Sequence, residues 1–156
     1  MIFLLKRIFN MVFPIIDDRI DSYIRFISFC KRKKMRLLGI VASRRLQLKY
    51  SVFLPYNCDF DGSLILRHPS SIIIGDGVRL GSNVIIFQNV TIGRSDTDVA
   101  NYPKIGDNVI IYAGAVIVGD VEIGANCIIG ANSVVTKSIP DNSIAVGAPA
   151  KIISRS

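Results

Sequence analysis

An aliphatic residue returns at every sixth position along much of this chain. The series has one interruption, between Arg94 and Lys104, and its members are Ile74, Leu80, Ile86, Ile92, Ile105, Ile111, Ile117, Ile123, Ile129 and Val135. A period of six fits neither the 3.6-residue period of an α-helix nor the two-residue alternation of a half-buried strand. It predicts one small structural unit stacked repeatedly on itself.

The positions between the aliphatics indicate that each unit is a short strand followed by a tight turn. Glycine often follows the aliphatic, and asparagine recurs at one turn position, where a left-handed backbone is cheap, in Asn83, Asn108, Asn126 and Asn132. A second column of small or branched residues lies four positions after the first. We expect three units to close one triangular coil, with successive coils pairing strand over strand around an aliphatic core.

This pattern resembles the hexapeptide-repeat, left-handed parallel β-helix of the acyltransferase superfamily, over about Leu54 to Ile153. The resemblance supplies the left-handed winding, because parallel crossovers are usually right-handed. It implies an all-β core, and we divide the chain into a helical N-terminal segment, 1–52, and a β-helix acyltransferase domain, 53–153, with a loop excursion at 94–104. The alternative of another class is a non-catalytic scaffold built from the same coils.

The basic charge of the chain lies in its N-terminal third. Residues 1–49 carry twelve Lys or Arg against three Asp, whereas the remainder carries seven basic against nine acidic residues. Helical spacing of apolar residues predicts a helix over Ile15–Phe29, preceded by a helical segment that ends at Phe13. This third is either a cap over the open end of the coils or a basic amphipathic surface for peripheral membrane association. No nucleic-acid recognition motif accompanies the charge.

The N-terminal apolar run and the cysteines indicate the cellular compartment. The apolar run Met1–Ile16 is broken by Lys6, Arg7 and Asn10, so it falls short of a membrane span, and no small-residue cleavage site follows it. The three cysteines are scattered and form neither a disulfide framework nor a metal pair. We expect a cytoplasmic protein, with the inner face of the membrane as an option.

The only histidine occurs where the six-residue phase slips. Leu54, Phe60 and Leu66 keep the spacing, but the next aliphatic, Ile74, comes two residues late, and the extra residues fall within 67–71, which contains His68. A bulge of this kind pushes side chains out of the stack. The segments 53–58, 64–69 and 72–75 resemble the start of the β-helix in serine O-acetyltransferases and their shorter sugar-modifying relatives.

In that family a histidine at this point is the general base. The resemblance implies that His68 takes the proton from an acceptor hydroxyl as its oxygen attacks the acetyl thioester. An imidazole suits this role because it can accept a proton near neutral pH. Asp59 and Asp61 are candidates to orient it.

Three later segments, 111–115, 129–137 and 146–151, resemble the coenzyme A-binding coils of the same enzymes. The resemblance implies acetyl-CoA as the donor and no metal. It places backbone of Ala113, Ala131 and Thr136 along the pantetheine arm, and Lys137 and Lys151 near the phosphates as point charges. In the family the loop excursion reaches over a groove between subunits, which implies a homotrimer with sites between chains.

The acceptor is harder to predict, because the sequence departs from the serine O-acetyltransferases. It has no long helical N-terminal domain. Arg67 stands in place of an acidic residue, Asn101-Tyr102 in place of Arg-His, and Phe53 near the position of an Asp. A free amino acid needs partners for both its carboxylate and its ammonium group.

We therefore expect a sugar hydroxyl as the acceptor, in capsular polysaccharide or lipopolysaccharide biosynthesis, with Asn89 and Tyr102 in contact with it. Serine O-acetyltransferase, acting in cysteine biosynthesis, is the alternative. One histidine is too few for the three-histidine metal site that a carbonic anhydrase of the same fold requires.

Overall fold

The computed structural model describes residues 16–95 and 101–153. Two helices, α1 (Ile16–Arg32) and α2 (Arg36–Tyr50), precede a series of short strands. The strands are β1 (Val52–Phe53), β2 (Ile65–Leu66), β3 (Ile72–Ile74), β4 (Arg79–Leu80), β5 (Ile85–Ile86), β6 (Thr91–Gly93), β7 (Lys104–Ile105), β8 (Ile110–Ile111), β9 (Val116–Val118), β10 (Glu122–Ile123), β11 (Ile128–Ile129), β12 (Val134–Val135), β13 (Ile144–Val146) and β14 (Lys151–Ile153).

The strands form three sheets that the chain visits in rotation. Sheet A contains β1, β3, β6, β9 and β12; sheet B contains β4, β7 and β10; and sheet C contains β2, β5, β8, β11, β13 and β14. Neighbouring strands pair in parallel one coil apart, except for the antiparallel pair of β13 and β14. Each turn of A, B and C is one triangular coil, so the predicted parallel β-helix is confirmed.

The aliphatic column is the core of the β-helix. Its ten members are at most 7% exposed, and the described side chains four positions after them are buried as well. Strand burial alternates accordingly, with the aliphatic inward and its neighbours outward. The sequence period therefore predicted the core residue by residue.

Three corners join the sheets, and each carries a column of turns. We name them the A–B corner (75–78, 94–95, 101–103, 119–121 and 136–138), the B–C corner (61–64, 81–84, 106–109, 124–127 and 140–143) and the C–A corner (67–71, 87–90, 112–115 and 130–133). At the B–C corner four asparagines with positive φ link their side-chain amides at 3.1–3.2 Å, namely Asn83, Asn108, Asn126 and Asn142. Asn132 has the same backbone conformation but lies at the C–A corner.

The helices cover the first coil, as the cap interpretation expected. Ile20, Ile24 and Ile27 of α1 and Leu46 of α2 are buried in the same cluster as the first strands. The Lys31 ammonium lies 4.7 Å from the centroid of the Phe60 ring and 3.8 Å from the Asp59 carboxylate, and it donates to the Cys58 carbonyl. On the neighbouring helix, Gly39 leaves room for the ring of Tyr56.

Two sequence predictions lie wholly or partly outside the described residues: the helical segment ending at Phe13, and the loop excursion at 94–104, of which 96–100 are not described. Over the described part of the chain, none of the helices has the length and apolar character to cross a bilayer.

Candidate active site

His68 lies outside the coils because two backbone positions take the left-handed conformation. The Arg67 amide still donates to the Ile86 carbonyl at 2.8 Å, so the chain remains in sheet C up to that point. His68 then has φ +48° and Ser71 has φ +51°, which accommodates the two extra residues of the bulge. The imidazole is exposed at the C–A corner.

An aromatic wall flanks the imidazole. The centroid of the His68 ring lies 6.3 Å from that of Phe87, and Phe87 stacks on Tyr112 at 5.0 Å with 28° between the ring planes. Phe87 follows β5 and Tyr112 follows β8, so both occupy the same place in successive coils as Arg67. Sequence analysis did not single out Phe87, although this coil-to-coil equivalence could have revealed it.

Below the bulge lies a buried oxygen atom that accepts no hydrogen bond from the described residues. The side-chain oxygen of Gln88 is buried and has no hydrogen-bond partner among the described residues. Gln88 follows Phe87 as His68 follows Arg67, so it occupies the equivalent place in the next coil. Buried hydrogen-bond acceptors in proteins are nearly always paired, so a bound ligand with an N–H or O–H group can pair with this oxygen.

The predicted donor-binding residues are divided between two corners. Ala113 and Ala131 lie at the C–A corner, as does exposed Asn89 (φ +59°). Lys151 belongs to the same region, because it pairs in register with Val146 at the end of β13. One chain thus brings these residues to the corner that carries His68.

The remaining predicted residues lie across sheet A. Thr136 and Lys137 follow β12 and are exposed at the A–B corner. Tyr102 lies at the same corner, where its ring covers Gly75 and Gly77 so closely that a Cβ on either would be 2.9 Å or 2.3 Å from ring carbons. A single chain therefore does not bring Tyr102 to His68.

The two carboxylates considered for orienting His68 have other partners. The backbone of Asp59 pairs with that of Arg79 in an isolated parallel β-bridge beside sheet B, and its carboxylate lies 3.8 Å from the Lys31 ammonium. Asp61 lies at the B–C corner, where it accepts hydrogen bonds from Ser63 and Ser82. The bond from Ser63 is the main reason that the pKa of Asp61 lies below its ordinary value.

Comparison with known proteins places this geometry in context. The family model "Bacterial transferase hexapeptide (six repeats)" matches residues 102–137. A serine acetyltransferase of Staphylococcus xylosus is 36% identical over 125 residues, which cover 80% of this chain and 58% of that protein.

Solved structures agree with this similarity. The soybean serine acetyltransferase apoenzyme superposes with a TM-score of 0.74 at 31% identity, covering 84% of this chain and 55% of that one. A serine acetyltransferase in complex with CoA gives a TM-score of 0.72 at 29% identity, covering 84% of this chain and 54% of that one. The chain thus spans a little over half the length of these relatives.

The comparisons overturn one expectation. A sugar acceptor in capsular polysaccharide or lipopolysaccharide biosynthesis is wrong, because the similar proteins are serine acetyltransferases. The expectation had rested on charged partners absent from particular positions, yet a site at a corner can draw charges from other residues or from a neighbouring chain. The resemblance itself is confirmed: the chain is similar to hexapeptide-repeat transferases and to serine acetyltransferases, and its fold agrees with their left-handed β-helix.

Proposed function

We propose that this protein transfers the acetyl group of acetyl-CoA to the hydroxyl of serine, giving O-acetylserine and CoA. The observation that carries the proposal is the exposed imidazole of His68, held outside the coils beside a column of small residues. The similarity to serine acetyltransferases supports both the donor and the acceptor.

In the proposed reaction His68 is the general base. An imidazole nitrogen takes the proton of the serine hydroxyl as the oxygen attacks the thioester carbonyl carbon. The carbon–sulfur bond then breaks, and the CoA thiolate recovers the proton from the imidazolium. No net proton is gained or lost, and the imidazole returns to its neutral form.

Beyond the aromatic pair, the donor fits the C–A corner because the residues at 113–114 and 130–131 are small. A Cβ on Gly114 would lie 2.2 Å from the side-chain oxygen of Asn132, so this turn admits only glycine without rearrangement. The side chains of Ala113 and Ala131 are small and leave room for a pantetheine arm beside the backbone. Lys137 and Lys151 are exposed and supply positive charge for the phosphates.

The acceptor carboxylate has a partner in Arg67. Its exposed guanidinium immediately precedes the base, and a guanidinium can pair a carboxylate through two parallel hydrogen bonds. This cation compensates for Asn101, which stands where the family resemblance implies an arginine. Arg67 therefore supplies one of the two charged partners that a free amino acid needs, the one for its carboxylate.

A homotrimer would unite the two corners. His68 occupies the C–A corner, whereas Thr136 and Lys137 occupy the A–B corner across sheet A. If the A–B corner of one chain lies against the C–A corner of the next, the base and all the proposed donor residues line one groove. Threefold closure gives each chain the same contact twice, once with each corner.

The test is acetyl transfer by the purified full-length protein. With acetyl-CoA and serine we expect O-acetylserine by mass spectrometry and an equal amount of CoA, and light scattering should give a mass of three chains of 17.2 kDa. Alanine is the matched control, because it has the same charged groups and no hydroxyl. Equal CoA release with serine and alanine, from protein that binds acetyl-CoA, would refute the acceptor.

A further inference from the structure

The helix α2 has a second apolar face that the β-helix does not cover. Its buried residues are Gly39, Ala42, Ser43 and Leu46, which pack toward the first coil. On the opposite side Leu37 is 80% exposed, Val41 50% and Leu48 83%. At 100° per residue these three lie within about 40° of one another around the helix axis.

Other large apolar side chains on the two helices are also exposed. Phe26 and Phe29 of α1 are 44% and 41% exposed, and Leu38 of α2 is 48% exposed. Single exposed apolar residues are ordinary on protein surfaces, whereas six large ones on two packed helices are typical of an interaction site. We call this group, with Leu37, Val41 and Leu48, the outer helix face.

Basic residues dominate the two helices from residue 22 onward, and the three acidic residues of α1, Asp17, Asp18 and Asp21, lie in its first turns. Residues 22–50 contain nine Lys or Arg and no Asp or Glu. Arg44, Arg45 and Lys49 are exposed on α2, on either side of Leu48 in the sequence. Long basic side chains can lay their stems along apolar surface while their charged ends reach outward.

We propose that the outer helix face docks the protein on an anionic lipid bilayer. Exposed leucine and phenylalanine can enter the boundary between headgroups and acyl chains, and the surrounding lysine and arginine can pair with lipid phosphates. A second copy of the chain is the poorer occupant, because it would bring two strongly positive surfaces together. The docking is peripheral, since neither α1 nor α2 can cross the bilayer.

The test is co-sedimentation of the full-length protein with lipid vesicles. We expect it to sediment with phosphatidylcholine vesicles that contain roughly one third phosphatidylglycerol, not with phosphatidylcholine alone, and to be released by high salt. The double variant Leu37→Gln with Leu48→Gln should lower the bound fraction by at least about fivefold. Both side chains are exposed, so the fold should tolerate the change.

The matched control replaces two exposed isoleucines at the other end of the β-helix. Ile152→Gln with Ile153→Gln removes the same kind of surface from residues that are 49% and 47% exposed, and it should leave vesicle binding unchanged. The proposal is overturned if the wild-type protein ignores anionic vesicles at low salt, or if both double variants bind alike. It is also overturned if Leu37→Gln with Leu48→Gln changes the oligomeric mass, which would assign the face to contacts between copies.

Discussion

At the scale of single residues, His68 is unusual among the turn residues of the β-helix that have a positive φ. Asparagine occupies most of the non-glycine positions with positive φ in the β-helix, as expected from its tolerance of the left-handed region. Histidine there costs about 1 kcal/mol. The fold accepts that cost at the bulge, and the ring lies in solvent beside Phe87 instead of in the core.

The thiol of Cys58 is the strongest example of a residue whose chemistry is set by burial. Desolvation raises the pKa of Cys58 to about 12, although nearby Lys31 acts in the opposite direction. Because only the thiolate is nucleophilic, we expect no reaction of Cys58 with a thiol reagent between pH 7 and pH 9 in the native protein. Cys30 and Cys127 are also buried.

The measurement is a thiol count with and without urea. Near-zero labelling in buffer and three thiols per chain in urea are expected; rapid native labelling of Cys58, identified by peptide mass, would contradict the position of the first coil. This property also helps the enzyme assay, since CoA would be the main free thiol in the reaction.

At the scale of elements, the contact between α2 and the first coil depends on the absence of a side chain. Gly39 lies in the helix interior, where glycine is about 1 kcal/mol less favourable than alanine. A Cβ there would lie 2.3 Å from a ring carbon of Tyr56 and 3.3 Å from the Cβ of Cys30. The glycine thus allows the ring and the helix to pack together.

We therefore expect Gly39→Ala to destabilise the protein although it improves helix propensity. Overpacking costs about 1–3 kcal/mol, which exceeds the propensity gain of about 1 kcal/mol over most of that range. Val41→Ala, on the exposed side of the same helix, is the control and should leave the free energy of unfolding within about 0.5 kcal/mol. Urea denaturation measures both; a Gly39→Ala variant more stable than the wild type would show that Tyr56 does not pack there.

The same helix shows which part of the fold the hydrophobic pattern could not predict. The β-helix was predictable in detail because one inward position recurs every six residues, and the helix over Ile15–Phe29 was recognisable from a single apolar stripe. In α2 apolar residues occupy two opposite faces, Leu46 inward and Leu37, Val41 and Leu48 outward, so no stripe stands out. Within the described residues this third contains two helices, α1 and α2, a division that the sequence did not predict.

At the scale of the whole molecule, the residues proposed for the site lie at two different corners of the chain. The phase slip at 67–71 was enough to predict that His68 leaves the stack, because a repeat forces the extra residues outward. It could not show that Tyr102, Thr136 and Lys137 lie at a different corner, since the sequence repeat is the same at all three corners. Corner assignment requires counting complete coils, which the loop excursion interrupts.

The acceptor was mispredicted for a related reason. Residue-by-residue comparison of Arg67, Phe53 and Asn101-Tyr102 with a family pattern considers only the charges of one chain at fixed positions. The proposed groove takes one corner from each of two chains, so charges outside those positions can contribute. The overall similarity to serine acetyltransferases was the more informative signal.

The central claim is that the displaced imidazole of His68 removes the acceptor proton while other residues hold the donor, and the variant His68→Ala tests it most directly. We expect turnover with serine to fall by about 10²-fold or more, while the dissociation constant for acetyl-CoA, measured by calorimetry, stays within about twofold of the wild type. Ser70→Ala, in the same exposed bulge, is the control and should retain near-normal turnover. Near-normal turnover in His68→Ala would contradict the account.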